Sequence, residues 1–310
     1  MKGVYMQTTI DTNNFNAMAQ AMGMNADMTS EKKTSQLARL KIQHSPIMGE
    51  IEVKGKRTQA AVINGGSYKL EDLENDRVLY ADKVTIRPYV QRFMYKKFVK
   101  PEGGKGFFVK TVLSDNLNID LKDTSGGFNC GKPAGYVKDY ASLPDNTKAL
   151  LKSIKRVRAV IGTVSMDNAY DHEGQELVTD GFETSFIWEI DNRDAFKIMG
   201  DSINKIATMK HLPIQHMIQL GSEERKLPNG NSFYLPTTSV LPDVHDVTDE
   251  VQERFDGFMQ WIENYNIYVF NKWTEKSGGA SKANSLSQDE TETVDDFVDV
   301  SNGLDDEIPF

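Results

Sequence analysis

Apolar residues recur at every second position, in short runs, along much of this 310-residue chain. The runs LARLKIQ, GEIEVKG, QAAVING, KVTIRPYVQRFMYKKFVK, GFFVKTVL, VRAVIGTVSM, ETSFIWEI and HMIQLG are set off by Gly, Pro and Asn. Such alternation puts one side chain in two on a buried face and predicts strands. In two places the period lengthens to that of a helix. Asp191 or Asn192 stands before Phe196, Met199, Ile203 and Ile206 as a cap. A longer stripe runs through Val251, Phe255, Phe258, Ile262, Tyr265, Val269 and Trp273. Asp249 and Glu250 open it and Lys272 and Lys276 close it, matching the helix dipole. A stripe of that length reads as a core-facing seam, for packing or for self-association into a homo-oligomer. Many strands and few helices predict a β-rich α+β barrel or sandwich with a long C-terminal helix.

The pattern fails at both ends. Residues 1–35 are polar, with Phe15, Met18 and Met22 on one side of a short helix at most, and read as a flexible arm. After Lys276, SGGASKANSLSQDETE has no periodicity and reads as a disordered linker. The expected organisation is an arm at 1–35, a domain at 36–276, and a linker with an acidic tip at 277–310. As a random coil, the 35 residues from 276 to 310 span roughly 30–35 Å.

Composition changes the picture mainly through charge. With 39% apolar and 26% charged residues the chain buries a sizeable core. It has no apolar run of the ~18 residues a membrane span needs. Its start, MKGVYMQTTIDTNNF, lacks the layout of a secretory signal, which predicts a cytoplasmic protein with no membrane partner. The net charge of −9 argues by itself against nucleic acid. Yet nine of the 45 acids lie from Asp289 onward with no Lys or Arg among them, leaving 36 acids against 36 bases elsewhere. A neutral body still has room for a basic groove.

Candidate chemistry lies in three of the strands. An extended 84–100 segment puts Val84, Ile86, Val90, Met94 and Phe98 on one side and Arg87, Tyr89, Phe93, Tyr95 and Lys97 on the other. Rings that stack bases, set between cations that meet phosphates, are what single-stranded nucleic acid requires. The competing reading packs these rings under a helix, and Pro88 signals a bend or an edge that blurs the alternation. Phe108 and Lys110 share a face in GFFVKT. In KSIKRVRAV, Lys152, Lys155, Arg156 and Arg158 cluster, with Arg156 and Arg158 pointing away from Val157, Ala159 and Ile161. The Gly-rich stretches at 64–66, 103–106 and 125–135 match no nucleotide-binding fingerprint and read as turns, with Lys105 and Lys132 as candidate phosphate contacts. Cys130 is the only cysteine and reads as a small buried hydrophobe. The five histidines lack ligand spacing, so no metal or cofactor is expected. No nucleophile elbow or Cys–His pairing is evident, so no enzyme is expected either.

The segment Asp305, Asp306, Glu307, Ile308, Pro309 and Phe310 resembles the acidic tip of bacterial single-stranded DNA-binding proteins, Asp-Asp-Asp-Ile-Pro-Phe, departing only at Glu307. The rest of the chain is unlike that family. A β-rich body with an acidic tail is similar instead to the single-stranded DNA-binding proteins of bacteriophages. This resemblance implies an OB-fold-like barrel with insertions, sequence-nonspecific binding of single-stranded DNA, and a host-cytoplasmic location. It also implies recruitment of replication, recombination and repair proteins through the tip. Two rivals share the tip: a recombination or nuclease-type enzyme, and an interaction protein that binds no DNA.

Overall fold

In the computed structural model, residues 36–277 are described, apart from 54, 102, 134–138, 179–182 and 229. The expected N-terminal arm, and the linker and tip from residue 278, lie outside the described residues.

Val84–Val99 forms a single 16-residue strand, β6, because its apolar and β-branched side chains have a core to fill on both faces. Strand β8 (Ile154–Ser165) lies antiparallel along nearly all of it. The opposite edge of β6 pairs in turn with β12 (Ile218–Lys226), with Ser114, and with β7 (Phe107–Lys110). Beyond β8 the sheet continues through β11 (Thr184–Ile190), β1 (Ala38–Ile42), β4 (Tyr68–Asp72), β5 (Arg77–Ala81), β9 (Ala169–Tyr170) and β10 (Glu176–Leu177). Beyond β12 it ends at β13 (Ser232–Val240). The β1–β11 pair is parallel; the other pairings among the described strands are antiparallel. β2 (Ile47–Val53) and β3 (Lys56–Ile63) form a separate hairpin.

The result is the expected sheet-rich α+β class with a long C-terminal helix. Strand pairing does not close a barrel, since the path ends at β10 on one side and β13 on the other. Single bonds bridge its two arms: the Tyr68 hydroxyl donates to the Gly221 carbonyl at 2.9 Å, and the Tyr234 N–H to His44 Nδ1 at 3.2 Å.

Among the described residues, each face of the sheet is packed by one long helix. Helix α2 (Arg193–Thr208) begins at Asn192, whose side chain accepts the N–H groups of Asp194 and Ala195. It buries Ala195, Met199, Ile203 and Ile206 against Tyr68, Leu70, Val164, Phe186 and Trp188. Helix α3 (Asp249–Lys276) is capped by Thr248 and buries Val251, Phe258, Ile262, Tyr265 and Val269 against Val90, Met94, Val157 and Ile161 on the other face. Spacings of seven, four, three and four residues keep that stripe on one side of the helix. Each apolar side chain so buried contributes at most about 1.5–3 kcal/mol. A third cluster of Tyr95, Val109, Leu121 and Cys130 lies under the 111–131 segment.

Strands β4, β5, β9, β10 and β13 and the short helix α1 (Asp145–Ser153) join the expected elements. Pro236 disguised β13 by interrupting its alternation. The strand tolerates it because β13 is the last in the path and leaves one edge without a ladder to serve.

The consequential irregularity is in β6. Pro88 lies opposite Gly162 and Val90 opposite Ile161, so Tyr89 is an extra residue with no partner. One inserted residue exchanges the two faces for everything that follows. Val84 and Ile86 face the α2 core, whereas Val90 and Met94 face the α3 core. Gly162 makes room for the bulge: a Cβ there would lie 2.1 Å from the Arg87 carbonyl oxygen. Gly162→Ala is therefore expected to destabilise the protein by about 1–3 kcal/mol, read as a lower denaturant midpoint. An unchanged midpoint would show that the bulge relaxes without cost.

Candidate nucleic-acid interface

The bulge divides the side chains expected on one binding face. Arg87 and Tyr89 turn toward α3. Tyr89 is buried, edge-on to Phe258 with ring centres 5.1 Å apart. The Arg87 guanidinium donates to the carbonyls of Ile214 at 2.6 Å and Asp246 at 3.2 Å. Beyond the bulge, Phe93, Tyr95 and Lys97 stand opposite Arg158, Arg156 and Ile154 of β8, on the α2 side. Tyr95 is also buried: it donates to the Leu117 carbonyl at 3.1 Å and packs on Val109, Leu121 and Cys130. The expectation of a single exposed face formed by Arg87, Tyr89, Phe93, Tyr95 and Lys97 is thus corrected. Period-two reasoning holds only while no residue is inserted.

Lys155, Phe108 and Lys110 fall on the α3 side with Lys96 by register. Lys96 and Lys110 converge on Glu189 of β11 at 3.3 and 3.0 Å, and Lys96 Nζ also lies 4.4 Å from the centre of the Phe108 ring. Burial pushes the Glu189 carboxyl up, but the two ammonium charges and their hydrogen bonds outweigh it and hold the group at about 2. Lys110 is thereby committed to an internal ion pair. Burial pushes the Lys155 ammonium below its usual value, with Asp191 opposing. Cys130 is the buried hydrophobe expected of it, its thiol pushed up to about 12 by burial and then by the Asp123 charge, against Lys97.

On the α2 side four side chains form one cluster. The Arg158 guanidinium lies 5.1 Å from the centre of the Phe93 ring and 4.4 Å from that of Phe196; Arg156 lies 4.5 Å from Phe196. The two rings are 5.9 Å apart. Both cations meet π faces, a contact worth about 0.5–2 kcal/mol each depending on desolvation.

The two arginines are not equivalent. Arg158 is 9% exposed, donates from Nη1 to the Gln91 side chain and from Nε to the Phe196 carbonyl at 3.2 Å, and fills the space that Gly200 leaves in α2. Burial, and then the Arg156 charge, push its guanidinium below its usual value, with Asp201 opposing. Arg156 is exposed and offers its N–H fork to solvent. Arg158 therefore positions the rings, while Arg156 is the cation available to a ligand.

By spacing alone, Phe196 belongs to the apolar side of α2 with Met199, Ile203 and Ile206. Nothing in the spacing distinguishes the flank of a buried stripe from its centre. The ring is half-buried, at the margin where α2 meets β8. The tip residues Asp305, Asp306, Glu307, Ile308, Pro309 and Phe310 lie outside the described residues.

Two measurements check this account. Arg158→Ala is expected to cost about 1–3 kcal/mol of stability by leaving Gln91 and the Phe196 carbonyl unpaired, whereas Arg156→Ala, which loses one exposed cation–π contact, costs at most about 0.5–1 kcal/mol. Equal losses would contradict the division of roles. Glu189, held below its unfolded value of about 4.3, adds stability that is fully present above that value and lost as pH falls toward about 2. Between about pH 5 and pH 2 the unfolding midpoint of the Glu189→Gln protein is expected to fall less steeply than that of the parent. Parallel curves would show that the carboxylate is not held by Lys96 and Lys110.

Comparison of the chain with protein-family models, with curated proteins and with solved structures found no match.

Proposed function

We propose that this protein binds single-stranded DNA without sequence preference, through the surface formed by Phe93, Phe196, Arg156 and Lys97, with Arg158 holding the rings in place. The observation that carries the reading is the cluster of two half-buried phenyl rings and two guanidiniums, one of them exposed, where β8 meets α2. Unstacked bases find π faces there and phosphates find a cation. A duplex hides its bases and finds only the cation. The charge distribution supports the same reading, since the negative excess lies in the tail and leaves the body neutral.

The finer architecture belongs to this proposal. An OB-fold-like barrel with insertions is supported by the bridges Tyr68–Gly221 and Tyr234–His44 between the arms of the open sheet. The segment DDEIPF is proposed to recruit replication, recombination and repair proteins, its acids steering toward basic rims and Phe310 filling a pocket. On a tether of roughly 30–35 Å, the nine acids from Asp289 onward also compete with DNA for the body's cations.

The deciding experiment titrates labelled oligothymidine, and duplex of equal length, with Mg²⁺ present so that cleavage is seen. Strong preference for the single strand without cleavage is expected; equal affinity for duplex, or cleavage, would overturn the proposal. Arg156→Ala is expected to weaken binding and to reduce the slope of log K against log salt by about 0.7, the value for one phosphate contact on a single strand. An unchanged slope removes Arg156 from the interface. Deleting residues 289–310 is expected to tighten binding at low salt, the gain fading as the Debye length falls to about 8 Å. Equal affinity at low salt would show that the tail does not compete.

A further inference from the structure

At the C-terminal end of α3 a second group of rings and cations lies on the surface. Phe128 and Phe270 are 43% and 45% exposed. Trp273 sits between them, edge-on to Phe128 at 5.6 Å and 6.2 Å from Phe270. Lys122 Nζ lies 4.0 Å from the centre of the Phe270 ring and 4.4 Å from that of Trp273. The indole N–H of Trp273 is shut off from solvent and has no acceptor among the described residues.

A rigid loop builds this surface. Asp123, fully buried, accepts the backbone N–H groups of Ser125, Gly127 and Cys130. Asn129 and Cys130 both take left-handed backbone, with φ of 54° and 56°, and both turn inward while Phe128 stays outside. Lys276 Nζ donates to the Thr124 carbonyl at 2.8 Å, tying the loop to the helix end. At Gly126, φ is +89° and a Cβ would lie 2.9 Å from Lys276, so this approach requires glycine.

The group is connected to the first cluster. Arg156 stands opposite Tyr95 across the β8–β6 ladder, and Lys132 Nζ lies 5.4 Å from the Tyr95 ring. Lys132 follows Phe128 by four residues, so the loop that carries the second group of rings also brings a cation to Tyr95, the ladder partner of Arg156. The larger groove beside α3, about 910 Å³, begins at Phe270 and carries three carboxylates, Asp115, Asp256 and Glu263, against one cation, Arg92, a lining that disfavours phosphates beyond Phe270.

We propose that Phe128, Phe270 and Trp273, with Lys122, form a second base-stacking platform for the same single strand, reached past Lys132. This rests on the function proposed above and extends it: short strands occupy the first cluster alone, and longer ones engage both. Charge complementarity selects nucleic acid as the occupant: Lys122 lies against the Phe270 and Trp273 rings and Lys132 against Tyr95, while the carboxylate of Asp123 is consumed inside the loop and that of Glu275 is paired with Lys272.

The test titrates oligothymidines of about four and about sixteen nucleotides, the span of known site sizes. Phe128→Ala/Phe270→Ala removes two half-exposed rings, and thermal melting followed by circular dichroism checks that the fold survives. Its expected effect is unchanged affinity for the short strand and a loss of roughly tenfold or more for the long one. Arg156→Ala weakens both. Tryptophan emission is quenched more by the long strand than by the short, and Trp273→Phe abolishes the difference. Normal binding of both lengths by the double variant, with the Arg156 variant impaired, overturns the platform alone and marks the surface as a protein-docking or purely structural cluster. An intact protein that binds neither length overturns the proposed function itself.

Discussion

A single inserted residue in β6 governs which face of the sheet each later side chain of that strand meets. Strand parity is absolute, so the extra Tyr89 opposite the Pro88–Gly162 pair sends Arg87 and Tyr89 toward α3 and Phe93 and Lys97 toward α2. The same shift lets one strand of 16 residues supply two cores, Val84 and Ile86 to one and Val90 and Met94 to the other. Proline costs little at the bulge, where a ladder bond is already interrupted. Glycine is required opposite it, because the Arg87 carbonyl occupies the space of a side chain.

On each face the charges follow from what covers it. On the α3 side, Lys96 and Lys110 are neutralised by Glu189, which satisfies three partly buried charges together and leaves little for a ligand. On the α2 side no acid of β8 or β6 answers Arg158. Gln91, a backbone carbonyl and two rings hold it instead, with only the charge of Asp201 in α2 acting on it, so its buried charge adds to that of Arg156 beside it. Satisfying a buried guanidinium with neutral partners is one physical way to keep a basic surface on a body whose acids and bases are equal in number.

Both aromatic groups are held by structure whose primary duty is elsewhere. Phe196 sits on a helix anchored by Met199, Ile203 and Ile206; Phe128 sits on a loop anchored by Asp123 and Cys130. The rings are therefore held in place without being buried, and a ligand stacking on them would remove little conformational entropy.

The sequence by itself determined the β-rich class, most of the strands, both long helices with their caps and buried stripes, the burial of Cys130, and the segregation of negative charge into the tail. These are local properties, set by period, capping chemistry and composition, and they survive any arrangement of the elements. Which ring meets solvent was decided only by the tertiary structure. Tyr89, Tyr95, Phe93 and Phe196 are alike in sequence as aromatic residues on amphipathic elements. Their fates separate because a bulge reverses parity at Tyr89, a loop from 111 to 131 covers Tyr95, and Phe93 and Phe196 meet each other only half-buried between β6 and α2. The same holds for Arg156 and Arg158, two residues apart on one face, of which only the second lies under α2. Exposure depends on what packs above a residue, and pairings between residues as distant as Phe93 and Phe196, or Phe128 and Trp273, leave no mark on the periodicity of either segment.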